Sequence, residues 1–298
     1  MEKIKLVTDS TVDLESVSSS VDLIKELDLE IVPLYVSFDD DDTNYLDGVE
    51  IHQNDIVEHV KNTGKLPKTA ACGPGVYTKK FNELLNQGYS IIFIGIGSKL
   101  SSNYQAAMLG KDATTDPDRI TIIDSNNLSS ATGLCLLKAR DFIKKGLSRE
   151  EIKTKIETEI APYIHTAFCI NSLDYMVKGG RCSSLTGFLS KILSLKPIIM
   201  VVDGKLEVGK KPIGSLNNAI KVIYQDMMKE IKNCELDYLM VTHFISEPCA
   251  EYIIPIIEET CKFKNIYNTK AGSVIGSHCG PGTIGLLYIT KPPKKTNK

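Results

Sequence analysis

Short apolar runs alternate with amphipathic stretches from residue 4 to about 164, and this alternation constrains the fold more than any other feature of the chain. Residues 4–7, 90–96 and 120–123 read as strands; the centre of the second is Ile91-Ile92-Phe93-Ile94, apolar on both faces. Residues 53–62, a stretch ending near Asn86, one beginning near Tyr104, 130–145 and 148–163 read as helices. Strands buried on both faces and separated by helices predict a parallel sheet covered on both sides, a three-layer α/β/α domain over residues 1–164. Residues 29–38 read as one further extended piece, which Pro33 makes an edge or bent strand. The carboxylate run 39–42 reads as a solvated loop, since calcium-loop spacing is missing. Asp13 is expected to cap the first helix.

The pattern changes after residue 164. A strand at 165–170 is followed by a short helix at 173–178 that Gly179-Gly180 stops, with Arg181 next. Residues 184–193 read as helical. Asp203-Gly204 between two apolar runs marks a tight hairpin, because both residues suit positive φ. An amphipathic helix at 215–232, a strand at 236–243 and a Pro255-containing helix at 249–260 follow. This predicts a second domain over 165–291, a two-layer α/β unit with a mixed sheet, and a basic tail at 292–298.

Composition narrows the function. A net charge of −2 over 298 residues gives no electrostatic case for nucleic acid or an anionic membrane. The longest apolar runs are about five residues, far short of a membrane span. The chain enters a strand pattern directly, without an apolar leader core, so a cytoplasmic protein is expected. No two of the eight cysteines have zinc-knuckle spacing and no HExxH occurs, so free buried thiols and no metal site are expected.

Three places carry candidate chemistry. The strand at 90–96 ends in Gly95-Ile96-Gly97-Ser98-Lys99-Leu100-Ser101-Ser102-Asn103 before a helix. Free N–H groups at a helix start, with serine hydroxyls, suit a carboxylate or phosphate; equally, one serine caps the helix and the others are solvated. The third glycine of a dinucleotide fingerprint is missing, and no Walker A sequence occurs. Thr69, ahead of Gly73-Pro74-Gly75, offers an anion a hydroxyl or simply ends a strand. The glycine-rich stretch 272–285, GSVIGSHCGPGTIG, predicts tightly turned backbone between two strands that presents His278.

Taken together, these residues resemble the DegV family of bacterial fatty-acid-binding proteins. The resemblance rests on Val7-Thr8-Asp9-Ser10, Lys68-Thr69, Leu100-Ser101 with Tyr104-Gln105, and Asp124-Ser125. It continues through LDYMVKGGR at 173–181, Leu195-Lys196-Pro197-Ile198, and SVIGSHCGPGTIGL at 273–286. It implies a carrier rather than an enzyme, without a cofactor: a long-chain fatty acid lies in an internal tunnel, and a separate ATP-dependent fatty acid kinase subunit phosphorylates its carboxylate to an acyl-phosphate. By position, the headgroup ligands are Thr69, Ser98 or Ser101, and His278, with Arg181 as the basic part of the site. Thr69-Ala70-Ala71-Cys72 departs from the family's Thr-Ser-Gln-Pro. Gly97-Ser98-Lys99-Leu100-Ser101-Ser102-Asn103 departs from its Ser-Ser-Gly-Leu-Ser-Gly-Thr. The alternatives are a small-anion hydrolase or phosphotransferase built on the 98–102 loop, and a lipid-sensing interaction protein.

Overall fold

The computed structural model describes residues 2–16, 22–39, 43–182 and 194–293. The expected helix at 184–193, most of the carboxylate run and the end of the basic tail lie outside the described residues. The molecule is α/β, with the expected parallel and mixed sheets and a small three-stranded antiparallel sheet besides.

The first sheet has four parallel strands in the order β3 (Leu29–Val32), β1 (Ile4–Asp9), β7 (Ser90–Gly95), β8 (Ile120–Asp124). Its side chains alternate between two cores. Val7, Ile91, Phe93 and Ile122 pack with Tyr77 and Phe81 of α3 (Pro74–Asn86) and Ala107 of α4 (Asn103–Asp112). Leu6, Ile92, Ile94 and Ile123 face the opposite way. They pack with Leu23 of α1 (Leu23–Glu26), Leu134 and Leu137 of α5 (Ser130–Lys144), and Ile152 of α6 (Arg149–Lys155). Covering both faces explains why β7 is apolar at consecutive positions.

The second sheet is mixed and has seven strands: β11 (Lys205–Val208), β10 (Ile198–Val202), β9 (Ile164–Cys169), β14 (Thr283–Thr290), β12 (Cys234–Phe244), β13 (Asn265–Lys270) and β2 (Glu15–Ser16). Only β12 and β13 pair in parallel. One face packs against α8 (Leu216–Glu230) and α9 (Glu247–Thr260) through Ile220, Ile223, Ile253 and Ile257. On the other face Met240, Leu287 and Ile289 reach the core that contains α5, so α5 lies between the two sheets. Asp203 at φ 48° and Gly204 at φ 73° make the expected hairpin turn.

Four local expectations are corrected. Residues 29–38 are not one strand: β3 joins the parallel sheet, and β4 (Tyr35–Ser37) joins a three-stranded antiparallel sheet with β5 (Asn44–Leu46) and β6 (Lys68–Ala70). Pro33, lacking an N–H, sits at the break. The helix at 148–163 ends as α6 at Lys155. A π turn, Ile156–Ile160, and a 3-10 turn, Ala161–Tyr163, follow as the chain meets Pro162. Asp13 does not cap the start of the first helix; it is buried at φ 49° just after the short turn Ser10–Val12, which Asp9 caps. Finally, the stretch with Val274-Ile275 is not merely turned backbone between two strands. It belongs to α10 (Ser273–Cys279), joined to the helix-rich side by α2 (Gln53–Thr63) and α7 (Asp174–Gly179).

Candidate functional site

His278 reaches its position because α10 is held at both ends. At its start, the Gly272 N–H donates to the Asp13 carboxylate at 2.7 Å and the Ser273 N–H to Asp47 at 2.9 Å. These acids satisfy N–H groups that a short, glycine-bearing helix otherwise leaves bare. Asp13 is further held by the Ser129 hydroxyl. Burial raises both carboxyls above the usual range, Asp13 the more strongly. Along the helix, a Cβ at Gly276 would come 2.1 Å from the Phe244 ring, so only glycine permits this packing of α10 on β12.

The last turn presents His278 to β6. The Thr69 hydroxyl and His278 Nε2 are hydrogen-bonded at 2.8 Å. Among the described residues Nδ1 has no hydrogen-bond partner; it is buried and lies against Gly179 of α7, where a Cβ would stand 2.5 Å away. Burial, and then the positive charge of Arg181, lower the His278 pKa from 6.5 to about 4, so the ring is neutral at pH 7. Arg181 is exposed and donates from Nη1 to the Gly179 carbonyl at 2.7 Å.

Thr69, Arg181 and His278 line a cavity of about 690 Å³, and Ser101 lines it from the loop before α4. Ser101 Oγ also accepts the Asn103 N–H at 3.2 Å. Ser98 does not belong to this wall: it is exposed, and its N–H is turned to the Asp124 carboxylate at 3.2 Å. The rest of the wall is largely apolar, with Leu34, Ile96, Leu100, Phe168, Phe244 and Leu287 among its members. It therefore draws on the carboxyl ends of the parallel strands, the α10 helix and the inner face of the mixed sheet. Ligands in open α/β sheets sit at such strand ends.

Sequence reasoning missed the anchors. Asp13 and Asp47 carry no local signal for a helix that begins at Gly272, because their partners are distant in the chain. It also missed the wall residues of the mixed sheet, whose inward face only the strand register reveals. Cys72 and Cys279 line the cavity as well, but burial pushes their thiols up to about 11 and about 12, so both are protonated at neutral pH. All eight cysteines are buried, as expected. Among the described residues, no group of three or more His, Cys, Asp or Glu is placed to hold a metal ion, and no helix is long and apolar enough to cross a membrane.

Similar proteins share both the sequence and the architecture. A DegV domain-containing protein of Clostridium acetobutylicum is 32% identical over 291 residues, 98% of this chain and 100% of that protein. A fatty-acid-binding DegV family protein from Thermus thermophilus superposes with a TM-score of 0.86 at 26% identity, covering 97% of this chain and 99% of that one. A stearic acid-binding protein from Eubacterium ventriosum superposes with a TM-score of 0.79, also at 26% identity, covering 98% and 99% of the two chains. The model of the family described as "uncharacterised protein, DegV family" matches residues 3–291, and the chain belongs to the DegV family.

Proposed function

We propose that this protein binds a long-chain fatty acid in the cavity between its sheets and offers the carboxylate to a separate kinase subunit. That subunit transfers the terminal phosphoryl group of ATP to a carboxylate oxygen and leaves an acyl-phosphate and ADP. The reading takes residues 1–164 and 165–291 as two domains with the ligand at their junction. The observation that carries it is the Thr69–His278 pair, held at 2.8 Å in the wall of a largely apolar cavity of about 690 Å³. The similar proteins from Thermus thermophilus and Eubacterium ventriosum, which bind fatty acid and stearic acid, support it.

The physics suits such a ligand. Each methylene taken from water contributes about 0.8 kcal/mol, so a palmitoyl-length chain gains on the order of 10 kcal/mol before ordering costs. The carboxylate needs donors in return, because bare burial costs several kcal/mol. Thr69 supplies its hydroxyl proton while its oxygen accepts His278 Nε2–H, and Ser101 supplies a second hydroxyl. The exposed Arg181 adds positive charge beside the neutral imidazole. It also suits a headgroup that becomes more anionic on phosphorylation.

Hydrolysis at the serine loop has less support. A nucleophilic serine needs a base within hydrogen-bond reach, yet His278 pairs with Thr69, and Ser101 accepts a backbone N–H. Native mass spectrometry of the protein purified from a bacterial host tests the proposal. A co-purified mass matching a long-chain fatty acid is the expected result. An apo mass that stays unchanged after addition of fatty acids refutes it.

A further inference from the structure

The cavity wall carries hydroxyls besides those at the Thr69–His278 pair. Thr166 of β9 and Thr242 of β12 line it from the mixed sheet, and Ser129 lines it from the start of α5. The register places both threonines on the inner sheet face. Thr166 pairs with Leu287 across β9 and β14, and Thr242 with Gly285 across β12 and β14, whereas Ala167, Val241, Ile284 and Leu286 pack on the α8–α9 side. All three hydroxyl-bearing residues are buried.

The direction of the hydrogen bonds decides what these groups offer a ligand. Thr166 Oγ1 donates to Asn127 Oδ1 at 2.8 Å. That amide oxygen also accepts the Leu128 N–H at 3.2 Å, which fixes it as the acceptor. Ser129 donates to the Asp13 carboxylate. Thr242 belongs to a hydroxyl chain with Ser130 and with Thr269, the latter at 2.8 Å. The protons of Thr166 and Ser129 are therefore committed to the protein, while each hydroxyl oxygen retains acceptor capacity. A wall of this kind matches a donor on the ligand.

Resting on the fatty-acid reading, we infer that the cavity accepts acyl chains bearing a hydroxyl group, which donates to the Thr166 oxygen or its neighbours. A uniformly apolar wall would weaken such a chain by about tenfold or more, since a buried hydroxyl would lose its water partners. Here the hydroxylated chain binds at least as tightly as its plain counterpart.

The test is equilibrium binding of two matched pairs, ricinoleate against oleate and terminally hydroxylated palmitate against palmitate, to the wild type and to Thr166→Val. The substitution keeps the shape and leaves Asn127 Oδ1 bonded to the Leu128 N–H. The expected result is equal or tighter binding of the hydroxylated member in at least one pair. Thr166→Val should then weaken that member about tenfold and leave the plain acid within about twofold. Weakening of both hydroxylated acids by about tenfold in the wild type overturns the inference, as does a hydroxyl preference that Thr166→Val leaves unchanged. Should Thr166→Val fail to fold, the wild-type ratios decide. Failure of all four acids to bind refutes the fatty-acid reading itself, which separates the two outcomes.

Discussion

The Thr69–His278 contact joins residues 209 positions apart, and its chemistry depends on the ring being neutral. Removing the imidazole should leave the fold intact and weaken fatty acid binding by about tenfold or more, the worth of a hydrogen bond that supports a charged group. His278→Ala with unchanged circular dichroism and an unchanged Kd for oleate would remove His278 from the site. Gly179→Ala makes a related prediction without touching a polar group. Its Cβ would stand 2.5 Å from His278 Nδ1, so the ring must move and binding should fall comparably. The buried ring also affects acid stability. Its folded pKa of about 4 lies below the ordinary 6.5, so the unfolded chain binds its proton more readily. Stability is lost as pH falls below 6.5, and the loss is complete near pH 4, about 3 kcal/mol at most. Asp9, Asp13 and Asp47 act with the opposite sign, because burial raises their pKa and folding favours their protonated forms. The comparison that isolates the histidine is therefore His278→Gln against wild type. In urea titrations, the variant should lose less stability between pH 6.5 and pH 4.

At the level of elements, α10 explains how far the sequence could be read. The strands 90–96 and 120–123, the Asp203-Gly204 hairpin and the amphipathic α8 were legible because the evidence for each lies within its own residues. The glycine-rich stretch suggested turned backbone between strands, since glycine and β-branched residues disfavour a helix locally. The structure places a helix there because Asp13 and Asp47 take its first N–H groups and Gly276 admits Phe244. Those causes come from three other segments, so no window around His278 contains them. The same distance hid the role of Thr166, whose inward direction follows from its register with Leu287. Ser98 and Ser101 looked equivalent in one loop, yet only Ser101 lines the cavity. If the two acids hold α10, Asp47→Ala should destabilise the protein by about 1–3 kcal/mol by orphaning the Ser273 N–H. It should also reduce fatty acid binding although Asp47 does not line the cavity. A variant that loses stability but keeps the wild-type Kd would show that α10 positions His278 without this anchor.

Across the whole molecule, the cavity draws its wall from segments that fold into different sheets, so the two sheets are coupled through whatever fills it. The hairpin reinforces that coupling. Leu206 of β11 lines the cavity, and the nearby Lys99 ammonium donates to the Asp203 carbonyl at 2.6 Å, tying the hairpin tip to the serine loop. A ligand that binds the folded protein and not the unfolded chain stabilises it by mass action. The gain is about 2.7 kcal/mol at a free concentration one hundred times Kd, and it keeps rising with the logarithm of concentration. A fatty acid seated between the sheets should therefore raise Tm progressively and sharpen any separate transitions of the two sheets into one. Binding confined to an exposed apolar patch would bridge no such boundary, and detergent-like association with the unfolded chain would lower Tm instead. Differential scanning calorimetry of delipidated protein at increasing oleate distinguishes these cases. A Tm that stays constant or falls through saturation would place the ligand outside the cavity, whatever mass co-purifies with the protein.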